Sequence, residues 1–281
     1  MLVQCTVMVG PAAVRKPWYV KYDGPCSRCG TVLAKGTEAI WDKAARSMHC
    51  VECPTVPAEQ PPIDYGTAGA SAQREYDRRK AKDEAAVKAR WGDRLGGLIL
   101  ALSDERQTTT AWARGAAGEA RLAKSFGELA GIHVLNDRRV PRTRGNIDHI
   151  IVASGGVFVV DAKNYKGTVT IRNKGWFFRP DSRLYVGGRD RSKRADDMAW
   201  QVEAVRPALQ AAGFNPLPPI TSVLCFIDAD WPIFWPPSSF RGVLLEAPRS
   251  LRKLVVKDQV LSEAEAERIV RILATALPAK T

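Results

Sequence analysis

Residues 146–167 read NIDHIIVASGGVFVVDAKNYKG. Two apolar runs, IIVA and VFVV, flank an SGG turn, which predicts two strands joined as a hairpin. Each strand nevertheless carries an aspartate at its outer end, Asp148 and Asp161, and Lys163 follows two residues later. Side chains alternate faces along a strand, so Asp148 shares a face with Ile150 and Val152. By the same alternation Asp161 and Lys163 share one with Val157 and Val159. The hairpin therefore brings both carboxylates to one end of a sheet. Two carboxylates held together raise a pKa, and a divalent cation between them removes that penalty.

The segment upstream repeats the anomaly. AWARGAAGEARLAKSFGELAG (111–131) has helical periodicity, and Glu119 falls in the middle of its apolar face with Leu122, Ala123, Phe126 and Ala130. A buried carboxylate needs a partner. Two are available: an arginine from residues 138–144, or a site shared with the two aspartates. Further strands are expected at IHVLND, GTVTIRN (with GWFFRP continuing a hairpin), ITSVLCFIDAD and RGVLLEA. A helix is expected at RADDMAWQVEAVRPALQAAG, closed by Gly213, and another at SEAEAERIVRILATAL, opened by Ser262 as cap. The fold class is α/β (α+β): a mixed sheet with helices on both sides.

The front of the chain is a different module. Cys26, Cys29, Cys50 and Cys53 follow C-x2-C-x20-C-x2-C, the spacing of a four-thiolate zinc site. Four protein ligands leave no open position, so a structural Zn2+ is expected, with His49 not needed as a ligand. A Pro/Gly/Ala-rich stretch follows Cys53, and then QREYDRRKAKDEAAVKARW (73–91) reads as a solvated, charged helix. The expected organisation is a zinc module over 1–58, a linker and helical connector over 59–110, and the mixed-sheet domain over 111–281.

The net charge is +12, and residues 138–206 hold 15 Lys or Arg against 7 Asp or Glu. Clustered cations around the acidic motif point to a polyanion partner. No apolar run is long enough to span a membrane, and no basic lead-in marks a signal peptide, so a cytoplasmic location is expected.

GAAGEARLAKSF, the 146–167 stretch and WQVEAVRPAL together resemble the nuclease-related domain, NERD, of the PD-(D/E)XK nuclease superfamily. The resemblance covers about residues 111–275 and leaves the cysteine module outside. It implies a restriction-endonuclease-like fold and a metal-dependent nuclease acting on DNA, in processing, repair or defence. Asp148 and Asp161 would then bind Mg2+ or Mn2+. Glu119 would hold a second metal or orient the first, and Lys163 would position and deprotonate the attacking water. Gln201 matches a polar helix position near the site in related nucleases, with a plain surface glutamine as the alternative. Lys166 and the cluster Arg189, Arg191, Lys193 and Arg194 are candidate phosphate contacts, and a solvated strand end or loop is the alternative for each. His149 faces away from Asp148 and is expected to be packed or hydrogen-bonded rather than a general base. The rival to catalysis is a non-catalytic nucleic-acid-binding protein on the same fold.

Overall fold

The computed structural model describes residues 18–27, 30–43, 46–51, 61–102, 107–127, 129–143, 145–176, 178–234 and 236–280. The chain divides into two compact units, Met1–Pro62 and Ile63–Thr281.

In the first unit, β1 (Trp18–Tyr19), β4 (Glu38–Asp42) and β5 (Ser47–Cys50) form an antiparallel sheet in the order β1-β4-β5. Strands β2 (Gly24–Pro25) and β3 (Val32–Leu33) pair beside each other as a separate ribbon. Among the described residues its buried core is Val20, Cys26, Leu33 and Ala39, with Trp18, Met48 and Cys50 packed against it. Units of this size ordinarily need a covalent or metal staple.

The second unit opens with α1 (Ala70–Leu102), broken at Gly92 by non-helical φ/ψ, and α2 (Gln107–Gly127). The two pack antiparallel: Thr109 donates to Asp83, and Arg79 lies over the Trp112 ring. Strands β6 (His133–Arg139), β7 (Asn146–Ala153) and β8 (Gly156–Lys163) then form an antiparallel meander, with Ala153 opposite Gly156 across a two-residue turn. Next come β9 (Gly167–Asn173), β10 (Ser182–Val186) and β11 (Arg189–Asp190), followed by α3 (Ser192–Asp196) and α4 (Met198–Ala211). The chain finishes with β12 (Ile220–Phe226), β13 (Ala229–Asp230), β14 (Ser239–Phe240), β15 (Val243–Glu246), α5 (Pro248–Leu254) and α6 (Glu263–Ala276). The main sheet is six-stranded, β14-β15-β12-β8-β7-β6, and mixed, because β12 runs parallel to both β8 and β15. A four-stranded sheet, β11-β10-β9-β13, stands beside it.

Both faces of the main sheet are covered, which is why β7 and β8 read as nearly continuous apolar runs. Leu122 and Phe126 of α2 and Leu251 of α5 pack with Ile151, Phe158 and Val160 on one face. Val205 and Leu209 of α4 and Ile269 and Leu273 of α6 pack with Ile150, Val157 and Val159 on the other. Each such side chain contributes about 1.5–3 kcal/mol when fully buried. Helix α6 starts at Ser262, whose side chain accepts from Glu265 N while Glu265 reaches back to Ser262 N. No helix among the described residues is long and apolar enough to cross a membrane.

The structure redraws several boundaries. Helix α2 starts at Gln107 and ends at Gly127, and Leu129 N bonds Phe126 O in the turn that follows. The expected 194–213 helix is two pieces that meet at Asp197. The hairpin after GTVTIRN forms, but its second strand is β10 and not GWFFRP, whose Trp176 and Arg179 bridge within the turn. Helix α5 went unforeseen, and β10 is closed against β11 by Gly187 and Gly188, both at positive φ, a hairpin turn that suits glycine.

One buried node fixes the sheet edge. Arg138 is fully buried on β6, and its guanidinium donates to Leu277 O (2.6 Å), Asp64 O (2.8 Å) and Ala274 O (2.8 Å). Asp137 beside it sits at a left-handed φ of 46°. Its carboxylate accepts from Ser71 N and Oγ at the start of α1, from Arg74, and from Asn146 Nδ2 on β7.

Candidate active site

The β7–β8 register places His149 opposite Val160, so Asp148 and Asp161 come next to each other at the open end of the hairpin. Lys163 closes that end. Its ammonium donates to Asp148 Oδ2 at 3.3 Å and to Asp161 Oδ1, and Asp148 Oδ2 also accepts from Ala162 N. All three side chains are largely withdrawn from solvent.

Glu119 reaches this end from α2. The helix is allowed close to β8 by Gly118, where an added Cβ would lie 3.0 Å from Ile227 Cδ1 and 3.1 Å from Asn164 Cβ. Asn164 is part of that seat, since its Nδ2 donates to Arg114 O. Among the described residues no lysine or arginine forms an ion pair with Glu119, and Arg138 is spent on backbone carbonyls. The arginine-partner alternative for residues 138–143 is therefore not what the fold uses; Arg144 lies outside the described residues.

The electrostatics follow from four charges packed at one point. Burial first, then the Asp148 carboxylate, push Glu119 up to about 9 despite Lys163. Burial pushes Asp161 up to about 7, with Asp148 adding to the rise and Lys163 opposing it. For Asp148, burial weighs against ionisation, but Lys163 and a hydrogen bond donated by Asp161 outweigh it and hold the group below the ordinary carboxylate range. Burial also works against the Lys163 charge, and the two aspartates overcome it, holding the ammonium protonated well beyond an ordinary lysine. As arranged, then, Lys163 is a cation and proton donor. It can accept a proton from water only after something else has taken up the carboxylate charge.

The remaining expected residues separate into seated and loose ones. Arg191 lies with Cζ 4.1 Å from the Tyr165 ring centroid, and its buried Nε has no partner. Arg194 is exposed and pairs with Asp197 at 3.8 Å, and Tyr165 and the Asp161 carboxylate lie close enough to favour its charge. Lys166, Arg189 and Lys193 are exposed. Gln201 is buried on α4 with its Oε1 unpartnered, so the surface-glutamine alternative is corrected by the packing of α4. His149 is fully buried, with Nδ1 2.9 Å from Asn136 Oδ1, and burial pushes it down to about 4. Tyr165, which gathers Arg191 and Arg194, was missed; an aromatic next to a lysine at a strand end carries no distinguishing signal in sequence.

Metal ligation differs between the two units. Among the described residues, no group of three or more His, Cys, Asp or Glu side chains is gathered as a ligand set. At the β7–β8 end the donor chemistry nevertheless suits a hard cation: carboxylate oxygens whose proton affinity, at Glu119 and Asp161, is raised by burial first and by the neighbouring Asp148 carboxylate after it. In the first unit Cys26 Sγ and Cys50 Sγ lie 3.5 Å apart, and Cys50 N donates to Cys26 Sγ. A disulfide would need about 2.05 Å. Two thiolates on one tetrahedral zinc stand about 3.8 Å apart for 2.3 Å bonds, so this pair fits zinc. Cys29 and Cys53 lie outside the described residues. His49, alternating with Cys50 along β5, is buried on the other face.

Residues 114–227 match the nuclease-related domain, NERD. That span runs from the first turns of α2 through the end of β12 and includes Glu119, Asp148, Asp161, Lys163 and Gln201. The chain is also 31% identical over 113 residues to an uncharacterized protein of Bacillus anthracis, covering 37% of this chain and 53% of that protein. It thus spans about half the length of the curated relative it matches. No solved structure matches.

Proposed function

We propose that the second unit is a PD-(D/E)XK-type nuclease that hydrolyses phosphodiester bonds of DNA. The observation that carries this reading is the convergence of Asp148, Asp161 and Lys163 on one strand end, with Glu119 brought alongside by the close approach at Gly118. Asp148 and Asp161 would hold Mg2+ or Mn2+, with Glu119 on a second ion or orienting the first. The bound cation supplies a polarised phosphate oxygen and a more acidic water. Lys163, released from the aspartates, presents its ammonium to the negative charge that builds on the phosphate. Arg191 and Arg194, gathered at Tyr165, orient the strand through its phosphates, and Lys166, Arg189 and Lys193 add diffuse attraction. In the first unit Cys26, Cys29, Cys50 and Cys53 would bind a structural Zn2+. The protein acts in the cytoplasm, in DNA processing, repair or defence.

The test is cleavage of plasmid, linear and single-stranded DNA, with RNA as a further arm, under Mg2+, Mn2+ or EDTA. Asp161→Asn and Lys163→Ala should each abolish metal-dependent cleavage while leaving DNA affinity within a few-fold. A second reading, a nucleic-acid-binding protein without catalysis, is favoured by the closure of both aspartates on Lys163. It wins if the parent protein binds DNA and neither metal produces cleavage.

A further inference from the structure

The β9–β10 hairpin carries a feature that the nuclease reading does not use. Beyond Asn173 its tip presents Trp176 and Phe178 to solvent at 82% and 86% exposure. Two large aromatic side chains exposed on one turn are rarely incidental on a protein surface. The tip is also built to hold them there. Asn173 Oδ1 accepts from both Gly175 N and Asp181 N, Lys174 N donates to Asp181 O, and Trp176 pairs with Arg179. Gly175 admits no side chain, since an added Cβ would fall 1.9 Å from Arg179 O.

The same tip and the strand ends that lead to it are cationic. Residues 172–183 contain Arg172, Lys174, Arg179 and Arg183 against the single carboxylate of Asp181. Arg172 and Lys174 both lie over the Tyr185 ring, at 5.0 and 5.9 Å, which sets their charges along one strip of β9–β10. Arg183 is held by Asp181 and Asp190. Aromatic faces at the tip and a basic strip leading to them are the two components that bind single-stranded nucleic acid: stacking for bases, cations for the backbone.

We propose that this tip is a second nucleic-acid contact, at which Trp176 and Phe178 stack on unpaired bases of the substrate. The proposal rests on the nuclease reading for its substrate class. Strand β9 begins four residues after Lys163 and runs six residue steps to Asn173, roughly 20 Å of strand. The preferred substrate is a flap, gap or frayed end rather than continuous duplex.

The experiment compares the full chain with a Trp176→Ala/Phe178→Ala variant, by anisotropy of a labelled 16-nucleotide oligo(dT) and of a blunt, sealed hairpin duplex, in EDTA. Both side chains are exposed, so unchanged thermal unfolding is expected and is checked first. Single-strand affinity should fall about 5- to 100-fold, duplex affinity by less than twofold, and Trp176→Phe alone should bind nearly as the parent. Equal losses on both ligands, or none, would overturn the proposal. So would a variant that loses binding to anionic phospholipid vesicles while keeping oligo(dT) affinity, because the tip would then be a membrane contact. Metal-dependent cleavage is scored separately. A parent that cleaves with a tip that does not matter removes this proposal alone. A parent that never cleaves, yet binds oligo(dT) through the tip, removes the nuclease reading alone.

Discussion

The Lys163 ammonium is hydrogen-bonded to Asp148 at 3.3 Å and to Asp161, so one cation from β8 serves as the shared counter-ion of a carboxylate on β7 and one on its own strand. This internal counter-ion explains how the sheet end can be assembled without a metal. It also defines what a metal must displace.

Without metal, stability should decline with rising pH above neutrality. Asp161 rises from 3.8 to about 7 and Glu119 from 4.5 to about 9 on folding, so the folded chain holds protons that the unfolded chain has lost. Where the folded state binds more protons, stability falls as pH rises, here from about pH 4 up through the two folded values. His149 acts oppositely: neutral when folded, it contributes stability that is full above 6.5 and lost toward about 4. Between pH 6.5 and 9 the carboxylates therefore act alone of the three. Glu119→Gln with Asp161→Asn should raise stability in EDTA, and by more at pH 8.5 than at pH 6.5. Urea denaturation at pH 6.5 and 8.5 checks it; a double variant with the parent's pH slope would contradict the assignment.

Gly118 should be the position in α2 least tolerant of a side chain. Gly118→Val pushes on Ile227 and Asn164 and should cost about 1–3 kcal/mol of stability. It should also lower cleavage at least tenfold by moving Glu119. Gly115→Val is the control, since nothing lies within 4 Å of its added Cβ. Equal behaviour of the two variants would show that the helix is free to shift.

Cysteine replacement should act on one unit only. Cys26→Ser should release one zinc per chain and expose residues 18–51 to limited proteolysis. The thermal transition of Ile63–Thr281 should stay in place. A purified parent without zinc by elemental analysis would refute the cysteine assignment, and so would Cys26 in a disulfide.

Arg138→Met should be severe. The methionine fills similar volume, but Leu277 O, Ala274 O and Asp64 O lose their donor inside the protein. Stranded buried acceptors each cost about 1–3 kcal/mol, so a loss of about 3–5 kcal/mol is expected in urea denaturation. A loss under 1 kcal/mol would mean that water replaces the guanidinium.

What could be read from sequence was whatever is decided locally. The IIVA-SGG-VFVV hairpin was legible because period, turn and β-branching agree. Ser262 was legible as a cap because it directly precedes in sequence the helix it starts, and its partner Glu265 is three residues on. Glu119 was legible through its position on a periodic face. Arg138, Asp137 and the Tyr165–Arg191–Arg194 group were not, because each joins segments that only the fold brings together. Arg138 and Ala274 are 136 residues apart, and no pattern along the chain relates them. Gln201 was seen as a candidate but not as buried, since its burial depends on where α4 settles.

The Arg138 node has a topological corollary. Asp64 O, near the start of the second unit, and Leu277 O, near its end, are held by the same guanidinium, and Lys280 N donates to Asp137 O one residue away. The unit is therefore closed into a ring by side-chain chemistry where the covalent chain leaves a gap. A short peptide bridge from residue 280 to residue 63, with new termini opened elsewhere, would retrace a connection that already exists non-covalently. Circular permutation at an exposed loop should keep the acidic strand end intact, provided that β6 still carries its arginine.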